Sequence, residues 1–125
     1  MKNAIVTEKA PKAIGPYSQG IDAGSFVFTS GQLPVDMATG VLEKEDIKKA
    51  AKNSLENCKA ILEQAGVPLK NAVKTTVFMV DLSEFAAMNE VYGSYFPENP
   101  PARSCVQVAA LPLGAKIEIE VIAVK

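Results

Sequence analysis

The segment Val73–Val80 constrains the architecture most, because its two alternating faces are both largely apolar. In a strand, successive side chains point to opposite sides, so Val73, Thr75, Val77 and Met79 share one face and Lys74, Thr76, Phe78 and Val80 the other. The run Lys116–Val124 alternates in the same way, with Lys116, Glu118, Glu120 and Ile122 on one side and Ile117, Ile119, Val121 and Ala123 on the other. A sheet built from such strands needs cover on both faces. The sequence offers only two helices to provide it. The spacing of Ile47, Ala51, Leu55, Cys58, Leu62 and Ala65 predicts a first helix over Glu43–Ala65, stopped by Gly66 and Pro68. A stripe of Phe85, Met88, Tyr92 and Tyr95 or Phe96 predicts a second, from Glu84 to Phe96, with Ser83 as its cap. Two helices cover one face, and self-association is the natural cover for the other.

The remaining elements follow from turn chemistry. Ile5-Val6 opens a short strand, Asp22–Ser25 turns a hairpin between Gln19–Ile21 and Phe26–Ser30, and Pro34 ends regular pairing. Residues Ala13–Gly20 read as an ordered loop carrying Tyr17, Ser18 and Gln19. Pro97, Pro100 and Pro101 deliver the chain into a strand beginning near Arg103. The order β-β-β-α-β-α-β-β over residues 1–125 makes one α+β domain with a mostly antiparallel sheet and both helices on one face.

Charge and cysteine usage exclude several classes of function. Thirteen basic and fourteen acidic residues leave a formal charge of -1, so no broad positive field favours nucleic acid. Cys58 and Cys105 make no disulfide framework or thiolate metal site, and Cys58 falls in the apolar stripe of the first helix. No run of 18 apolar residues predicts a membrane span, and a cytoplasmic, soluble chain is the expectation. With no histidine, neither a Ser-His-Asp nor a Cys-His centre can be built, and neither Gly-x-Gly-x-x-Gly nor a phosphate-binding lysine loop is present.

The chemistry left is that of one arginine and two carboxylates. Arg103 is the single arginine, placed just after rigid prolines, and its planar fork suits bidentate recognition of a carboxylate; an ion pair with Glu118 or Glu120 is the structural alternative. Glu118 and Glu120 share a strand face, which also describes an ordinary half-solvated strand. A carboxylate near an arginine can hold or polarise a water, depending on a strand register that the sequence leaves open. Cys105 shares a strand face with Arg103 and Gln107 but lacks a base to make it a nucleophile.

Pro101-Ala102-Arg103-Ser104-Cys105-Val106, followed by Ile117-Glu118-Ile119, resembles the C-terminal signature of the Rid family, the reactive intermediate deaminases, and within it the RidA subgroup. Ala13–Gly20, Thr29-Ser30-Gly31-Gln32, Val73–Phe78 and Asn89-Glu90-Val91-Tyr92 are also similar to that family, so the resemblance spans nearly the whole chain. It implies a chorismate-mutase-like protomer, a homotrimer whose sheets form a central barrel, and three sites in the clefts between subunits. It further implies hydrolysis at C=N bonds, converting 2-iminobutanoate, 2-iminopropanoate and their enamines to 2-keto acids and ammonia, without a cofactor or metal. By the same resemblance Arg103 clamps the substrate carboxylate and Glu118 handles the attacking water. Tyr17, Ser30 and Asn89 line the pocket, and the backbone at Gly31 and Cys105 hydrogen-bonds near the imine. Gln107 and Ala110 stand where relatives often carry a glutamate and an arginine. A non-catalytic sensor of small keto acids is the competing expectation, and a translation-inhibiting endoribonuclease a more distant one.

Overall fold

The computed structural model describes residues 2–125. Three short strands, β1 (Asn3–Ile5), β2 (Gly20–Asp22) and β3 (Phe26–Thr29), precede a small hairpin of β4 (Val35–Asp36) and β5 (Val41–Leu42). Helix α1 (Ile47–Gln64), strand β6 (Ala72–Met79), helix α2 (Phe85–Tyr95) and strands β7 (Ala102–Gln107) and β8 (Ile117–Val124) complete the chain. Six strands form one sheet in the order β1-β2-β3-β8-β6-β7. Every pairing is antiparallel except β6 with β7, which run parallel because α2 carries the chain back between them. The structure thus bears out the α+β, mostly antiparallel reading with two helices.

Helix α1 begins at Ile47, four residues after Glu43 and so later than the predicted start. Glu43 Oε2 accepts from the backbone N–H of Glu45 and Asp46, which holds those residues in a turn. Asp46 then caps the helix by accepting from Lys48 N–H at 2.9 Å and Lys49 N–H at 3.2 Å. At the other end Gly66 takes φ +76°, its N–H bonds Glu63 O, and Val67 N–H reaches back to Leu62 O. That double bond is the Schellman termination, and only a residue tolerant of positive φ allows it. The cap of α2 differs from expectation too. Asp81, not Ser83, is the side-chain cap, accepting from Ser83 N–H at 2.9 Å on a single 3-10 turn, Leu82–Glu84, that leads into α2, while α2 itself starts from Glu84 with no side-chain cap.

The core lies between α1, α2 and one sheet face, where Leu55, Cys58, Ile61, Leu62, Val77, Met79, Met88, Ile117 and Ile119 are fully buried. Truncating one such side chain to alanine costs about 2–5 kcal/mol. Thr75, Val77 and Met79 occupy the helix-side face as the alternation predicts, but Val73 does not join them. A bulge between Ala72 and Lys74 gives the buried position to Ala72 and turns Val73 outward. On the opposite face Phe26, Phe28, Phe78, Val106, Ile122 and Val124 lie uncovered by any helix. Among the described residues no helix is long and apolar enough to cross a membrane.

Candidate functional site

An irregularity in the β3–β8 ladder creates the first group of polar side chains. Regular pairing ends at Phe28 with Ile122 and resumes at Gln32 with Ile119, so three residues on one side face two on the other. The extra residue makes this a bulge. Thr29 bridges it, its buried hydroxyl accepting from Val121 N–H at 3.0 Å, while the Cys58 thiol beneath donates to Ile119 O at 3.3 Å. Ser30 and Gly31 are left outside the ladder, beside Glu118. A Cβ on Gly31 would stand 2.7 Å from Glu118 Cδ and 2.9 Å from Oε2, so only glycine lets the carboxylate lie against the backbone.

The loop before β2 is tied onto this bulge. Ser30 Oγ donates to Ser18 O at 2.6 Å, and Ser30 N–H bonds Gln19 O. Gln19 is buried, with its amide accepting from Thr7 N–H and donating to Thr7 O and Pro11 O. Its role is therefore to fasten the loop, whereas Tyr17, half exposed, faces a cleft. That cleft, of about 770 Å³, is lined by Tyr17, Ser30, Gly31, Glu118 and Glu120, with Ile14 and Leu113 as apolar walls. Desolvation holds the Glu118 carboxyl above the usual range, and the neighbouring Glu120 charge adds to the rise.

Arg103 sits in a second group, on β7. Its Nη1 donates to Asn89 Oδ1 at 2.7 Å, and its Cζ lies 4.7 Å from the centre of the Tyr92 ring and 5.4 Å from that of Phe85. Phe85, Asn89 and Tyr92 follow one another at helical spacings of four and three on α2, so one helix stripe forms the cradle. Tyr92 in turn shares a 2.7 Å hydrogen bond with Thr75. Cys105, two residues on, contacts Met79 sulfur at 3.9 Å; burial pushes its thiol pKa up and the Arg103 charge opposes that. Gln107 accepts from Leu82 N–H and so serves the chain entering α2.

The two groups do not meet within one chain. Arg103 is the ladder partner of Thr75 and faces the helices, whereas Glu118 is the partner of Phe78 and faces the open side of the sheet. Strand β6 separates them, placing their Cα atoms roughly 14 Å apart, two strand spacings across and three residues along. No Arg103 ion pair with Glu118 or Glu120 forms; the partners of the arginine are Asn89 and two ring faces. Tyr17, Ser30, Gly31 and Glu118 thus assemble on one side, and Asn89, Arg103 and Cys105 on the other. Sequence reasoning placed Phe85 and Tyr92 in a core stripe and missed their contact with Arg103. It also missed Leu113, a non-glycine residue at φ +60° on the cleft wall. Among the described residues no three Cys, Asp or Glu side chains are grouped to hold a metal ion.

Comparison with known proteins covers the chain from end to end. The family model described as Endoribonuclease L-PSP matches residues 7–125. A protein of Salmonella typhimurium named 2-iminobutanoate/2-iminopropanoate deaminase is 56% identical, with 100% of this chain and 99% of that protein covered. A RutC family protein of Pyrococcus abyssi is 55% identical over 99% of this chain and 98% of its own length. Among solved structures, Escherichia coli TdcF with bound serine is similar at a TM-score of 0.92 and 51% identity, covering 98% of each chain.

Proposed function

The chain belongs to the endoribonuclease L-PSP family, in which the Rid deaminases fall, and from that premise we propose that it is an enzyme hydrolysing reactive 2-imino acids to 2-keto acids and ammonia. Its substrates are the chemical class of 2-iminobutanoate and 2-iminopropanoate with their enamine tautomers. The observation that carries this reading is the full-length similarity to proteins named as deaminases of those two compounds. The geometry supports it with suitable equipment.

A protonated imine is already electrophilic, so the reaction requires orientation and a placed water rather than a strong nucleophile or a cofactor. In this mechanism the Arg103 fork binds the substrate carboxylate and Glu118 accepts a proton as water oxygen bonds to C2. The C=N double bond becomes a single bond in the resulting carbinolamine. Glu118 returns its proton to nitrogen and takes up the carbinolamine hydroxyl proton as the C=O forms and the C–N bond breaks, giving the 2-keto acid and ammonia, which leaves with that remaining proton as ammonium. Desolvation makes Glu118 a stronger base than an exposed glutamate, which fits the role. Serine bound to TdcF has the carboxylate and three-carbon size that this site would accept.

Arg103 and Glu118 face opposite sides of their own sheet, so the site is completed by a second copy of the chain. We assign a homotrimer in a chorismate-mutase-like arrangement, with the open sheet faces turned inward as a barrel. One subunit then supplies Tyr17, Ser30, Gly31 and Glu118, and its neighbour Asn89, Arg103 and Cys105. Phe26, Phe28 and Val106, each at least 40% exposed on the uncovered face, support this arrangement. With a net charge of -1 and no histidine, the sequence favours a small acid over RNA as the ligand.

The test is release of keto acid and ammonia from 2-iminobutanoate generated in situ by an amino-acid-processing enzyme. Native protein accelerates release over buffer, and Arg103→Ala does not. Absence of acceleration by native protein overturns the proposal, and tight binding of 2-oxobutanoate without turnover would make the protein a keto-acid sensor instead.

A further inference from the structure

We propose that Tyr92, aimed by Thr75, is a positioning residue that holds the Arg103 fork ready for a carboxylate. This rests on the reading of Arg103 as the substrate clamp. Thr75 and Arg103 are direct partners in the β6–β7 ladder. The Thr75 side chain, fully buried, holds the Tyr92 hydroxyl at 2.7 Å, and the Tyr92 ring lies 4.7 Å beneath the Arg103 Cζ. Backbone rung, hydroxyl pair and stacked ring therefore close a triangle on the arginine.

Each side of that triangle has a physical reason. A ring alone could pack beneath the guanidinium, but a buried tyrosine hydroxyl requires a partner, and Thr75 supplies one that fixes the ring's tilt. Asn89 takes one N–H, at Nη1, and the rings of Tyr92 and Phe85 take the flat face. Among the described residues nothing hydrogen-bonds the Nε and Nη2 edge, which is the edge a bidentate carboxylate needs. A free arginine loses considerable rotamer freedom on binding, and the cradle removes that loss beforehand. Lysine at 103 could neither stack on the ring pair nor present two parallel donors.

The experiment measures affinity for 2-oxobutanoate by calorimetry, in the full-length protein, as a double-mutant cycle. Tyr92→Leu is expected to weaken binding about tenfold in the native background, the size of a desolvated cation–π contact. It is expected to change nothing further once Arg103→Ala is present. A loss of equal size in both backgrounds, or none in either, overturns the proposal, since a general packing defect would act without the arginine. The paired variant Thr75→Val/Tyr92→Phe removes both hydroxyls while leaving the shapes intact, so it keeps the fold if Tyr92→Leu does not. About a threefold loss, again confined to the native background, is expected from weakened alignment of the same contact. No loss from that pair overturns the part assigned to Thr75. If Arg103→Ala alone leaves the affinity unchanged, the clamp reading fails, which is a result distinct from failure of the cycle.

Discussion

Cys58 shows at the scale of one residue how the core supports the cleft. It lies on α1 directly under β8, and its thiol donates to Ile119 O between the two glutamates of that strand. Burial is the chief cause that pushes its pKa from 9.0 up to about 12, with the Thr29 contact opposing and the charges of Glu120 and Glu118 adding. An unfolded chain gives up this proton near pH 9, while the native protein retains it. The stability contributed by the protonated thiol is therefore whole below pH 9 and lost as pH rises toward 12. Cys58→Ser keeps a donor and does not titrate in that window. Its melting temperature is expected to fall less steeply than that of native protein between pH 9 and 12; parallel curves would refute the assignment. Gln19 and Tyr17 make a complementary point. They are near neighbours in one polar loop, yet one is a buried fastener and the other a cleft wall.

At the scale of the element, the bulge between β3 and β8 is the decisive feature. It lifts Ser30 and Gly31 out of the ladder and leaves room for Glu118 against the backbone. In Gly31→Ala the new methyl would stand 2.7 Å from Glu118 Cδ, near the free end of a side chain that can swing aside. The substitution is therefore expected to lower stability by only about 1–2 kcal/mol. Displacement of the carboxylate is expected to reduce imine hydrolysis about a hundredfold, because a shift near 1 Å at a catalytic group is that consequential. Thermal melts and single-turnover rates on the same samples separate the effects. Equal activity with a displaced Glu118 would remove that residue from the mechanism.

At the scale of the whole molecule, the proposed trimer would account for both the open sheet face and the separation of Arg103 from Glu118. Phe28 on β3 is 40% exposed and is the ladder partner of Ile122, on the face that carries Glu118. A charge there would be buried without a partner in a trimer, at a penalty of several kcal/mol, but would be solvated in a single chain. Phe28→Glu is expected to reduce the mass seen by light scattering from about three copies to one of 13.3 kDa, with helix content retained and hydrolysis lost. A variant that stays assembled and active would show that this face is not the contact.

The α+β class, both helices and the Thr75, Val77 and Met79 side of β6 were all readable from the sequence. They rest on local periodicity and residue chemistry, which neighbouring residues determine among themselves. The sequence misled at Val73, where a bulge transfers burial to Ala72, and at Ser83, where Asp81 caps instead. The choice among Arg103 partners was not readable either, because it depends on strand order. With β6 inserted between β7 and β8, the arginine turns to an aromatic stripe of α2 and the glutamate to the open face. Strand order is set by long-range packing of both helices on a single face. That tertiary constraint puts the arginine group and the glutamate group on opposite faces of one sheet.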